Sequence, residues 1–196
     1  MTTNGKLTND RILEAARHLI ARRGYSNFSY ADVSAAIAIH KASIHHHFPT
    51  KSALALAVTH QAREIFDADM ASVEDGGADP LARLHAYLDY WERTLGDDPE
   101  LFCVAGMLGA EVPFLDAEVA QAVGEYFGAI TGWVGQLLTA GQAAGQFHLG
   151  GTVQEGAAEL VSLIYGAVLV ARASRNPAHF RLATRAAVAR LTGAPA

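Results

Sequence analysis

From Ile12 onward, apolar side chains recur three and four residues apart, and no segment alternates apolar with polar residues over the length of a strand. That period belongs to helices carrying one buried stripe, and it argues against a core built on sheets. Ile12, Ala16, Leu19 and Ile20 fall on one helix face; Thr8 or Asn9 can cap its start, and Arg22-Arg23 before Gly24 mark its end. Ser29 and Asp32 have the spacing of a capping box, opening a short helix through Val33, Ala36 and Ile37. After the brief connection Ala38-Ile39-His40, Lys41 to His47 make two more turns, stopped by Phe48-Pro49.

Glycine and proline divide the rest. Thr50 caps a long helix through Leu54, Ala57, Val58, Ile65 and Phe66 to about residue 73. Breaks at Gly76-Gly77, Asp79-Pro80, Asp97-Asp98-Pro99, Pro113, Gly145 and Gly150-Gly151 then separate helices over about 81–95, 101–112, 116–144 and 152–175, and Asn176-Pro177 starts a last helix ending at Gly193. The expectation is an all-α chain of about nine helices. The helix over 116–144 is unusual. No charge occurs from Tyr126 to Gln154; Gly124, Gly128, Gly132 and Gly135 share one stripe, opposite Tyr126, Ile130, Trp133 and Leu137. Such a helix is expected to be buried on both faces, by close helix crossing or around a ligand.

Charge is unevenly placed. The net charge of −5 disfavours a nucleic-acid binder when taken whole. Residues 1–51 hold seven basic against three acidic residues, a formal +4, and the remainder hold eight against seventeen, a formal −9. A basic head on an acidic body points to nucleic-acid contact at the head. The single cysteine, Cys103, excludes an internal disulfide and a multi-cysteine zinc site and fits a reducing cytoplasm. The start of the sequence lacks an apolar leader core. No uncharged apolar stretch reaches the ~18–20 residues that span a bilayer; the nearest, Leu160 to Ala171, lies between Glu159 and Arg172. A cytoplasmic protein without a membrane partner is expected. There is no glycine-rich phosphate loop, HExxH or G-x-S-x-G elbow, so neither an enzyme nor a cofactor is expected.

Three short helices within the basic head, the second and third joined tightly, have helix-turn-helix spacing, which sends the third helix into the DNA major groove. Ile44 is expected in the core, while Lys41, Ala42, Ser43, His45 and His46 face outward. Lysine, serine and histidine suit phosphates and base edges, and alanine suits a thymine methyl. Lys51, at the start of the next helix, suits a phosphate. His45, His46 and His47 are adjacent on a helix and 100° apart, so no metal site is expected there.

Residues 8–58 resemble the DNA-binding domain of the TetR family of bacterial transcription regulators. RILEAA (11–16), RGY (23–25), ADVS (31–34), KASIHHHF (41–48) and PTKSALALAV (49–58) carry the resemblance. It implies a DNA-binding helix-turn-helix domain over 1–51 and a helical effector-binding and dimerisation domain over 52–196. The implied function is a homodimeric repressor released from operator DNA by a small molecule; the alternative is a soluble helical ligand-binding protein with weakened DNA binding. Candidate DNA contacts are Ser29, Tyr30, His40, Lys41, Ala42, Ser43, His45, His46 and Lys51. Four positions depart from the family pattern. Ala38 replaces the usual turn glycine, at about 1–2 kcal/mol if left-handed. His40 is a poorer cap than serine or threonine, by about 1 kcal/mol. Ala42 replaces a frequent glycine, and His45 a tyrosine that commonly meets phosphate.

The resemblance also implies an effector pocket among the middle helices. Its candidates are Tyr87, Trp91, Phe102, Cys103, Met107, Glu111, Phe127, Trp133 and Tyr165, with Phe114 beside them. Such a lining favours an apolar or aromatic molecule, and Glu111, a lone carboxylate in an apolar stretch, suits a cationic or hydrogen-bonding group. LFCVAGMLGAE (101–111) resembles a TetR subgroup with a cysteine at the start of this helix, some members of which respond to electrophiles or oxidants; this makes Cys103 a candidate sensor. The last two helices, rich in leucine, valine and alanine, are expected to form the dimer interface, as the resemblance implies.

Overall fold

The computed structural model describes residues 3–75, 79–97 and 102–194. Among these, nine α-helices occur and no strand: α1 (Thr3–Arg23), α2 (Tyr30–Ile37), α3 (Lys41–His47), α4 (Lys51–Asp75), α5 (Pro80–Asp97), α6 (Val104–Ala110), α7 (Ala117–Ala143), α8 (Val153–Ser174) and α9 (Ala178–Thr192), with a 3-10 turn over Val112–Phe114. The expected breaks at Gly76-Gly77 and Asp98-Pro99 lie outside the described residues.

The chain forms two compact units. The first joins Met1–Phe66 to Cys103–Tyr126, and the second joins Asp67–Phe102 to Phe127–Ala196. In the first, Ile12, Ala16 and Ile20 of α1 are fully buried, with Val33 of α2, Ile44 of α3 and Leu54 and Val58 of α4. Each large apolar side chain so buried contributes about 1.5–3 kcal/mol. Leu19 is only half-buried and Ile65 is 44% exposed, so these two leave the stripes the periodicity assigned them to. In the second unit, α8 packs along α9, and α5 touches both. Leu84, Leu95, Ile130, Val134, Ile164, Val168 and Phe180 are almost fully enclosed there.

Three expectations need correction. α1 begins at Thr3, ahead of the Thr8 or Asn9 cap. The apolar helix expected over 101–112 is shorter, because Cys103 is non-helical at its N-cap and the chain tightens into a 3-10 turn containing Pro113; Leu101 lies outside the described residues. The glycine face of α7 is not buried. Gly124, Gly128 and Gly132 are exposed, and a Cβ at any of them would meet nothing within 4 Å. Close packing within the chain therefore does not account for them.

α8 is 22 residues long, and its best 18-residue window has a mean hydropathy of 1.5. By length and composition this helix could cross a membrane, although its charge-free part runs only from Leu160 to Ala171. Within the chain its apolar residues Leu160, Val161, Ile164, Ala167, Val168 and Ala171 are buried.

Candidate functional site

The reading head is built from the turn before α2 outward. Ser29 caps α2 by accepting from the Asp32 backbone N–H, while the Asp32 carboxylate accepts from the Ser29 N–H at 2.9 Å and its hydroxyl at 2.6 Å. Arg23 donates to the same carboxylate at 3.2 Å. The Ser29 hydroxyl, followed by its backbone N–H and the Arg23 charge, holds the Asp32 carboxyl below its usual value.

α2 ends at Ala38, which is left-handed at φ 53°, ψ 46°. Position 38 thus has the conformation for which glycine is usual, with a methyl group present. Ser34 Oγ donates to the Ile39 carbonyl at 2.6 Å and Arg11 to the Ile37 carbonyl at 2.8 Å, which bind the turn to its surroundings. His40 is extended at the N-cap of α3 and gives no side-chain cap.

In α3 only Ile44 is buried, at 0% exposure. Lys41, Ala42, Ser43, His45 and His46 are exposed beside His40, so the structure places the candidate reading residues on an open surface. Among the described residues no group of three histidine, cysteine or carboxylate side chains could hold a metal ion.

An open cleft of about 400 Å³ lies beside this surface, lined by Phe28, Ser29, Tyr30, Ala31, Lys41, His45 and Lys51. Lys51 Nζ stands 4.5 Å from the Tyr25 ring centroid and 4.7 Å from that of Phe28. Partial burial lowers the Lys51 pKa, and the Glu111 and Asp32 carboxylates offset part of that effect. Tyr30 packs edge-on against His45 at 4.6 Å and donates its hydroxyl to the Phe48 carbonyl at 2.7 Å. Burial, then the neighbouring Tyr25, pushes its phenol up to about 12, so the group stays neutral. Two ammonium groups, an imidazole and a capping serine around one cleft suit an anionic backbone.

Glu111 has partners the sequence did not suggest. As the C-cap of α6, it accepts from the backbone N–H of Tyr25 and, at 3.1 Å, from that of Ser26. Gly24 makes room for it. Its φ is +81°, and a Cβ there would stand 2.5 Å from Glu111 Oε2. Gly24 and Tyr25 were legible only as part of the RGY segment, and Phe28 was not singled out by any sequence signal.

The effector candidates divide between the two units. In the second, Tyr87 meets Trp133 at 5.4 Å between centroids, Trp91 meets Tyr165 at 5.6 Å, and Phe127 meets Tyr165 at 5.0 Å. Phe102 lies 5.7 Å from the Arg172 guanidinium. Trp91 is buried, and its indole Nε1 has no hydrogen-bond partner among the described residues. In the first unit, Cys103 Sγ lies 3.6 Å from Tyr126 Oη, and Met107 is half-buried in α6. Phe114 is 71% exposed on the 3-10 turn, so it lines no enclosed site.

This architecture is that of a helix-turn-helix regulator with an attached helical body. Residues 12–58 match the bacterial regulatory proteins of the tetR family, and residues 80–187 match the Tetracyclin repressor-like C-terminal domain. A transcriptional regulator of the TetR family from Agrobacterium tumefaciens is 40% identical, with a TM-score of 0.93, over 96% of this chain and all of that one. Regulatory protein TetR from Rhodobacter sphaeroides shares the fold at 22% identity and a TM-score of 0.89, over 94% and 99% of the two chains. The reduced form of NemR from E. coli does so at 22% and 0.82, over 96% and 99%. No curated protein matches the chain. The chain belongs to the TetR family and is a DNA-binding transcriptional regulator rather than an enzyme.

Proposed function

We propose that the regulator is a cytoplasmic homodimeric repressor that leaves its operator when a small apolar or aromatic molecule binds, or when Cys103 is modified. Residues 1–51 read DNA in this proposal, and residues 52–196 bind the effector and the second copy. The observation that carries it is the split in α3, with Ile44 fully buried and Lys41, Ala42, Ser43, His45 and His46 exposed. A helix held in that way presents one polar edge to a groove. Lys51 on its ring platform, beside Ser29 and Tyr30, supplies the flanking phosphate contact.

A second copy is supported by the outer faces of α8 and α9. Leu169, Val170 and Leu182 are 54%, 51% and 67% exposed, a cost that a matching face would remove. Effector binding is supported by the linked aromatic rings of Tyr87, Trp133, Trp91, Tyr165 and Phe127. Cys103 and Glu111 cap opposite ends of α6, so a bulky adduct on the thiol would disturb the helix that holds the α1–α2 turn.

Gel shifts on DNA flanking its own gene, across a salt series, test the proposal. Sequence-selective shifts that weaken steeply with salt are expected. No shift from a folded dimer at low salt would leave the helical ligand-binding alternative. Leu182→Glu should give a monomer by sedimentation. Operator release by a quinone that persists in Cys103→Ser would remove the thiol from the proposal.

A further inference from the structure

We infer that Glu111 is a positioning residue for DNA binding: its carboxylate pins the α1–α2 turn and so holds the ring platform on which Lys51 is presented. The inference rests on the reading that the Lys51 cleft meets DNA phosphate.

The two carboxylate oxygens divide the work, Oε2 taking the Tyr25 N–H and Oε1 the Ser26 N–H at 3.1 Å. Charge-assisted bonds of this kind are stronger than neutral ones and fix direction as well as distance. The arm that carries the carboxylate is stiff. The Glu111 backbone N–H donates to the Leu108 carbonyl at 3.0 Å, and its own carbonyl accepts from Phe114 at 2.8 Å. Val104, Ala105 and Leu108 of α6 are buried and anchor the helix.

The pinned turn leads directly to the platform. Tyr25 is held at its backbone by Glu111 and at its hydroxyl by Ser52 Oγ, 3.1 Å away. Its ring meets Phe28 edge-on at 6.1 Å, and Lys51 lies over both. A lysine held this way loses less conformational freedom on meeting a phosphate than one moving in water. Without the carboxylate, two backbone N–H groups lose their acceptor, and Tyr25 keeps its hydroxyl tether and its edge contact with Phe28 but not its backbone anchor. Gly24 belongs to the same device, because any side chain there would displace the carboxylate.

The test uses the full-length chain and a duplex selected from a randomised pool by the wild-type protein. Glu111→Ala, and Glu111→Gln with one acceptor oxygen retained, are compared with wild type in the Lys51 and Lys51→Ala backgrounds. Circular dichroism melts establish that each variant is folded. With Lys51 present, both substitutions should weaken binding roughly tenfold, the size of one charge-assisted contact. They should also lower the slope of log K against log salt by about one phosphate contact. In the Lys51→Ala background neither effect should remain. Unchanged affinity and slope in a folded Glu111→Ala protein would overturn the inference while leaving the DNA-binding reading intact. Equal weakening in both backgrounds with an unchanged slope would also overturn it, by reducing Glu111 to a structural support. If the wild type selects no duplex at low salt, the DNA-binding reading itself fails and the inference with it.

Discussion

Arg11 of α1 donates from Nη2 to the carbonyl of Ile37, the last residue of α2, at 2.8 Å. The bond reaches across 26 residues to the carbonyl just before the left-handed Ala38, so the tight turn is held from outside. It compensates in part for a turn residue whose methyl group disfavours the conformation it adopts.

Ala38→Gly should therefore stabilise the protein. Relief of the left-handed strain is worth about 1–2 kcal/mol, and the added freedom of glycine in the unfolded chain returns about 0.4–1 kcal/mol of it. A net gain of about 0.5–1 kcal/mol in urea denaturation is expected, with operator affinity within about twofold of wild type. A loss of stability would mean that Ala38 is not left-handed in solution.

The capping box of α2 makes an acid-sensitive prediction. The Asp32 carboxyl is held below its ordinary value, chiefly by the Ser29 hydroxyl. A depressed carboxyl contributes stability above its unfolded pKa, near ~3.9, and loses it as pH falls through the folded value. Wild type should thus lose stability below about pH 4 more steeply than Asp32→Asn, which lacks the titrating group. Titration of the Asp32 carboxyl by NMR gives the direct check, and a midpoint at or above the ordinary value would contradict it.

The glycines of α7 separate two situations that look identical in sequence. At Gly128 a Cβ meets open space, so Gly128→Ala should raise the stability of the isolated chain by about 0.5–1 kcal/mol through helix propensity. At Gly141 a Cβ would fall within the ring of Phe147, which is 2% exposed and whose backbone N–H bonds to the Gly141 carbonyl at 3.2 Å. Gly141→Ala should cost about 1–3 kcal/mol as an overpacked core site. Parallel thermal melts of the two variants decide whether the sign differs.

What could be read from sequence follows the range of the interaction. The box at Ser29–Asp32 joins residues three apart, and it is present. Ile44 is buried because helical period alone sets it opposite the exposed residues of α3. The cradle for Glu111 joins residues 86 and 85 positions apart, and a lone carboxylate in an apolar stretch does not show which backbone it serves. The α7 glycines share one stripe by period, yet their surroundings depend on which other helices cross them, and no local rule supplies that.

The two tryptophans make the last contrast. Trp91 is 4% and Trp133 9% exposed, so replacement by phenylalanine removes similar buried area from each. Their indole N–H groups differ. Trp133 Nε1 donates to Glu74 Oε1 at 3.2 Å, whereas Trp91 Nε1 is buried without a partner among the described residues. Trp133→Phe loses a bond to a charged group, and Trp91→Phe removes an unpaired donor along with its desolvation cost. Trp133→Phe should therefore be the more destabilising by about 2 kcal/mol in chemical denaturation. Equal costs would show that the Trp91 indole finds an acceptor in solution. In that case a proton-detected spectrum should show its N–H shifted to a hydrogen-bonded position, distinguishable from Trp133 by which resonance each substitution removes.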